Sequence, residues 1–170
     1  MYDNMMNKFR YGNYKHARYL DDVSKTQFYL NMEITFNDLA QGLLQDHRPD
    51  LALNAIHKFD QEMPDINPDI DSAAQKFFIA QNACKAGDVI LAKRYMSGVT
   101  DYLTDQLDYN YALLKNNDDA AMDVRTVQLG MQLLNGMADT AKAYKEDKLG
   151  NELQAKLSDY ENKFAVLQGR

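Results

Sequence analysis

From Phe28 to the end of the chain, apolar side chains return every three or four positions, the spacing that lines one face of an α-helix. Phe28, Met32, Phe36, Leu39 and Leu43 form the first stripe, which runs to about Asp46, with Ser24 and Gln27 at the spacing of a capping box. Pro49 suits the first turn of a second helix, whose stripe of Leu51, Ala52, Ala55, Ile56 and Phe59 is closed by Pro64. After a Pro- and Asp-rich connector at 65–71, a third helix from Ser72 carries Phe77, Ala80 and Ala83. It stops at Gly87, a residue free to take the left-handed conformation that ends helices. Asp88 caps a fourth, with Ala92, Met96, Val99 and Leu103 on one side. A tyrosine-rich link at 108–114 and a polar run at 116–119 precede a fifth, with Val127, Met131, Leu134, Ala138 and Ala141 in line and Gly130 and Gly136 inside it. Asn151 caps a sixth, where Leu153, Leu157, Tyr160, Phe164 and Leu167 keep helical spacing. Leu and Ala together number 37 against 12 Val and Ile, so the expected fold is all-α. Residues 1–23 read as a basic N-terminal arm and 24–170 as one helical domain.

Two of the three helix pairs are copies at a shift of 40 residues, which places Leu39 on Ile79, Ala40 on Ala80, Leu43 on Ala83, His47 on Gly87, Ala52 on Ala92, Ile56 on Met96 and Phe59 on Val99. An alanine in each helix lets two backbones approach closely, and larger residues fill the space between successive pairs. With Phe36, Leu39, Ala40, Leu43, Ala52, Ile56 and Pro64 at its spacing, the first copy resembles a tetratricopeptide repeat. That resemblance implies antiparallel pairs stacked as a right-handed superhelix of about six helices. The second copy departs from the motif at Lys76 and Thr104, and the surplus over the usual period falls in the 65–71 connector. Gly150 and Ala155 hint at a third, degenerate unit, and an irregular helical bundle is the rival architecture.

Charge and composition narrow the chemistry. At a net charge of -6 the chain is a poor candidate for nucleic acid, whose phosphates attract clustered Lys and Arg. Residues 1–26 carry +2 and the remainder -8, which leaves room for an electrostatic contact of the arm with anionic lipid or an acidic partner. No stretch approaches the ~20 consecutive apolar residues of a membrane-spanning helix. The single cysteine, Cys84, excludes an internal disulfide and a Cys-based zinc site. The connector begins like a calcium loop but has Ile70 where Gly is needed and Lys76 where a bidentate Glu is needed. His47, His57 and His16 lack ligand partners at metal spacing and read as surface or capping residues. No nucleophile–base arrangement, phosphate cradle or paired-carboxylate motif stands out, so no catalytic, cofactor or metal residues are assigned. Binding is the better prospect: the first helices of the pairs would present Asn37, Gln41 and Gln45 beside Phe77, Gln81 and Lys85. Carboxamides there could donate to and accept from an extended peptide or sugar hydroxyls. Tyr102, Tyr109 and Tyr111 are a weaker candidate for an aromatic platform.

The segment from Tyr2 to Asn13, followed by Tyr19-Leu20-Asp21, resembles the stretch joining membrane and C-terminal regions in a family of bacterial multi-pass membrane proteins of unassigned function. Leu39-Ala40-Gln41-Gly42-Leu43, Met63-Pro64 and Leu107-Asp108-Tyr109-Asn110-Tyr111 are similar to that family's tail. Its membrane region in turn resembles GT-C glycosyltransferases, notably protein O-mannosyltransferases. The resemblance implies a noncatalytic C-terminal domain of an inner-membrane transferase-like parent, facing the periplasm and docking a protein or peptide acceptor or a partner subunit, with no small-molecule cofactor. An independent soluble scaffold is the alternative.

Overall fold

The structure, a computed structural model, describes residues 1–116 and 122–168. Among these the chain is helical without a strand: α1 (Leu30–Gln45), α2 (Pro49–Glu62), α3 (Ile70–Ala86), α4 (Val89–Asn116), α5 (Val124–Ala143) and α6 (Asp147–Gln168). The expected all-α class holds, and short helical turns at Asn4–Lys8, Tyr14–His16 and Ser24–Tyr29 precede α1. The chain forms two compact units, Met1–Gly98 and Val99–Arg170, and α4 begins in the first and continues into the second.

Several local expectations are corrected. The first helix is capped by Asp21, which accepts the Ser24 N–H at 2.6 Å, and no capping box forms at Ser24. Ser24–Tyr29 then winds as a π-helical turn before α1. Its extra residue per turn rotates the stripe, so Tyr29 and Glu33 enter the core while Phe28 lies at the surface against Tyr14. The tyrosine-rich stretch at 108–114 is not a link but the last turns of α4. There the buried Asn110 carboxamide accepts the Asp123 N–H at 3.0 Å, just before α5, whose N-cap is Asp123 itself. Tyr111 packs edge-on against Phe164, while Tyr109 is exposed, so they form no platform. Of the polar run at 116–119, residues 117–119 lie outside the described residues. Asp69 rather than Ser72 starts α3, accepting the Ser72 N–H at 2.8 Å, and α6 begins at Asp147 with Asn151 inside it.

The residues 1–23 are part of the first unit, so no boundary between compact units falls at 23/24. Met5 and Tyr11 are buried, Tyr11 stacks near Phe36 and Lys58 lies over its ring, and the Lys15 ammonium donates to the Asp60 carbonyl.

All three hairpin turns share one geometry. His47, Gly87 and Lys145 have φ of 57°, 100° and 63°, each two residues before the next helix. In each turn the following N–H reaches back five residues, from Arg48 to Leu43, Asp88 to Ala83 and Glu146 to Ala141. These are Schellman turns, which satisfy the last carbonyls of a helix through a left-handed residue. Counted from that residue, Ala40, Ala80 and Ala138 occupy one position and Ala52, Ala92 and Gly150 another, so the third pair repeats the small-residue columns of the first two. The five alanines are fully buried. A methyl on Gly150 would lie 2.6 Å from Lys142 Cγ and 3.1 Å from the Ala138 carbonyl oxygen. Ala155, by contrast, is exposed and takes no part in the column.

Overpacking these columns is expected to cost about 1–3 kcal/mol for Ala52→Leu, Ala92→Leu or Gly150→Leu. Gly130 is the contrast, since a methyl there meets Leu103 and Leu107 at an ordinary 3.6 Å. Gly130→Ala should therefore gain up to about 1 kcal/mol of helix propensity. Urea unfolding of the four variants checks the order; an unchanged midpoint in the three leucine variants would show that the helices do not meet there.

Candidate binding groove

α1 packs against both α2 and α3, so the first helices of the two hairpins in the first unit lie side by side. Their shared seam holds a chain of carboxamides. Asn82 Nδ2 donates to Asn37 Oδ1 at 2.7 Å, and Asn37 Nδ2 donates to Gln75 Oε1 at 3.1 Å. Asn37 and Asn82 are buried, which fixes their rotamers and the seam's hydrogen-bond polarity. Above the seam opens a groove of about 470 Å³ lined by Ile34, Asn37, Asp38 and Gln41 from α1 and by Gln75, Phe78, Gln81, Asn82 and Lys85 from α3.

The structure thus brings together four of the six residues expected on this face: Asn37, Gln41, Gln81 and Lys85. Gln45 is exposed at the end of α1 but does not line the groove. Phe77 does not reach it either. It is 4% exposed, and its neighbour Phe78, 41% exposed, supplies the groove's ring. The 40-residue shift pairs Phe77 with Asn37, and both are indeed inward positions; only Asn37 is short enough to leave a polar edge at the seam. Ile34 and Phe78 were legible by stepping back one helical turn from Asn37 and Gln81, and Gln75 by stepping back a second turn.

Beneath the seam lies a polar cluster that composition conceals. Glu33 and Lys76 are both 0% exposed, as is Ser72. The Lys76 ammonium is held by Asp65 Oδ1 at 2.8 Å and the Ile66 carbonyl at 2.5 Å, with the Tyr29 and Tyr95 ring centroids each 5.9 Å away. Tyr29 donates its hydroxyl to the Pro64 carbonyl at 2.8 Å, and Asn67 Nδ2 donates to the Gly98 carbonyl at 3.0 Å. The inserted connector is therefore a strap fastened into the core, and Lys76, which breaks the repeat pattern, is its fastener. Among the described residues no partner meets full hydrogen-bond geometry at either Glu33 oxygen or at the Ser72 hydroxyl, although Ser72 lies close enough to act on the carboxyl. Burial pushes the Glu33 carboxyl up to about 8, against the opposing pull of Ser72 and the Lys76 charge. Burial likewise raises the Tyr29 and Tyr95 phenols, keeping both as hydroxyl donors.

A second cleft, of about 240 Å³, is bordered by His57, Asp60, Asp88, Ile90, Leu91 and Arg94. His57 Nε2 lies 2.8 Å from Asp88 Oδ2, and that hydrogen bond holds the Asp88 carboxyl below the usual range while its other oxygen caps α4 through the Leu91 N–H. Arg94 and the Tyr95 hydroxyl both engage Asp60. His57 pairs with Asp88 and Arg94 with Asp60, so the cleft reads as a fastening between α2 and α4.

The chain matches no protein-family model, no curated protein and no solved structure to which it was compared. Its class rests on its own fold and site: an all-α protein of helix hairpins whose first unit carries a carboxamide-lined groove. No described helix is long and apolar enough to cross a membrane.

Proposed function

We propose that the first unit is a noncatalytic docking module whose α1–α3 groove receives a segment of a partner or acceptor protein. One observation carries this reading: two buried asparagines hold the floor of a surface groove in a single hydrogen-bonding arrangement. A floor ordered before binding lowers the entropic cost of ordering a ligand on it. The N-terminal resemblance supports a further step, that the module is the periplasmic C-terminal domain of a membrane-embedded glycosyltransferase-like parent and presents an acceptor or partner subunit to it.

The double substitution Gln41→Ala with Gln81→Ala should weaken capture of a partner in a pull-down with the immobilised chain and leave the melting temperature nearly unchanged. Equal capture by the variant and the unaltered chain refutes this face. The parent is tested separately, by the reading frame immediately upstream of Tyr2, which should encode several apolar stretches of membrane-spanning length.

A further inference from the structure

Resting on that docking reading, we infer that the α1–α3 groove takes an uncharged, extended peptide segment of about five residues and recognises its main chain rather than its side-chain charge. Three observations lead there. Among the described residues the formally charged ones lining the groove are Asp38 and Lys85, one of each sign, so they give it no net attraction to an acidic or a basic ligand. A groove selecting carboxylates or phosphates by charge would need several cations converging on one point.

The second observation is the hydrogen-bond inventory. A carboxamide has two N–H donors and two acceptor lone pairs. The seam's bonds commit Asn82 Nδ2 to Asn37 Oδ1 and, at 3.5 Å, to the Asn37 carbonyl, and they spend one N–H of Asn37 and one lone pair each on the Asn37 and Gln75 side chains. Among the described residues no hydrogen bond uses the Gln75 Nε2 donors, which are left to a ligand, and Gln41 adds a further carboxamide on the facing helix. Donors and acceptors mixed along a groove match a peptide backbone, which alternates N–H and C=O.

Length is the third. From Gln75 to Lys85 the lining of α3 advances ten residues, about 15 Å of helix axis, and an extended chain covers that distance in four to five residues. Helix turns about 5.4 Å apart meet a strand whose like-facing groups recur every ~6.7 Å, so successive polar turns can address alternate residues. Ile34 and Phe78 supply apolar contact for small side chains.

The test uses a fluorescently labelled, acetylated and amidated nine-residue peptide of serine, threonine and glycine, read by anisotropy against the whole chain. Its companions are the same peptide N-methylated at alternate central residues, a glutamate-rich analogue and a lysine-rich analogue, with a neutral oligosaccharide as competitor. The neutral peptide should bind at least as well as the charged ones, with less than about a twofold change between about 50 and 500 mM NaCl. N-methylation, or Gln75→Ala combined with Gln41→Ala, should weaken it about tenfold, the effect of losing one or two hydrogen bonds. Gln45→Ala, outside the groove, should change nothing. If a charged analogue binds more tightly and loses affinity with salt, or if N-methylation has no effect, main-chain recognition is overturned while peptide docking stands. If no peptide binds, or the oligosaccharide alone occupies the groove, both readings fall.

Discussion

Lys76→Ala is expected to lower the stability of the first unit by about 3–5 kcal/mol. The side chain is fully buried, so truncation removes three methylenes and the ammonium from the packed interior and leaves a cavity. It also strips the Asp65 carboxylate and the Ile66 carbonyl of a charge-assisted donor. Lys76→Met separates the two effects. It keeps most of the volume, the Tyr29 hydroxyl still reaches Ile66 at 3.3 Å, and the half-exposed Asp65 can turn to water. Its cost should therefore stay near 1–2 kcal/mol. Urea denaturation with proteolysis of the 63–69 segment reads both variants, and the alanine form should be cleaved faster. Wild-type stability in Lys76→Ala would mean the strap is held by Tyr29 and Asn67 alone.

Glu33 makes stability depend on pH in the direction opposite to that of an ordinary paired carboxylate. Its carboxyl is raised from about 4.5 to about 8 in the folded chain, chiefly by burial. Between those values the unfolded chain has released the proton and the native chain keeps it, so the native state binds more protons and stability falls as pH rises. Above about 8 both states are ionised and the loss is complete. The decline from pH 5 to pH 8 should amount to about 2–4 kcal/mol, and Glu33→Gln should abolish it, being the more stable form at pH 8. The lowered carboxyls of Asp88, Asp21 and Asp123 act below this window and do not obscure it. Urea midpoints of the two proteins at four pH values give the measurement. Parallel pH profiles would show that Glu33 has a charged, solvated environment instead.

Much of this arrangement was legible as a pattern. The 3.6-residue period located α1 to α6 among the described residues, because a helix must hide one face and the hidden face is apolar. The 40-residue self-similarity marked the columns of small residues and aligned His47 with Gly87, a match repeated in backbone conformation. The polar face at Asn37, Gln41, Gln81 and Lys85 was likewise readable, since residues three and four apart on a helix share a side. Gln45 and Phe77 were assigned by the same rule and do not line the groove, since periodicity locates a face only to within a turn. The tyrosine stretch at 108–114 looked like a link, but burial of Leu107 and Asn110 and packing of Tyr111 keep it helical.

What the order of residues determined alone is therefore local: helix type, the turns between helices and the positions where backbones come close, each governed by interactions a few residues apart. What only tertiary structure decided is where unlike residues meet across long separations. Lys76 stands on an apolar column and looks like an error in the repeat until the connector folds over it, and Glu33 is buried beside it. Asn37 becomes the floor of a groove only when Gln75 and Asn82 arrive from another helix. The energy of a buried charge or carboxamide depends on the partner that replaces water, and that partner lies tens of residues away.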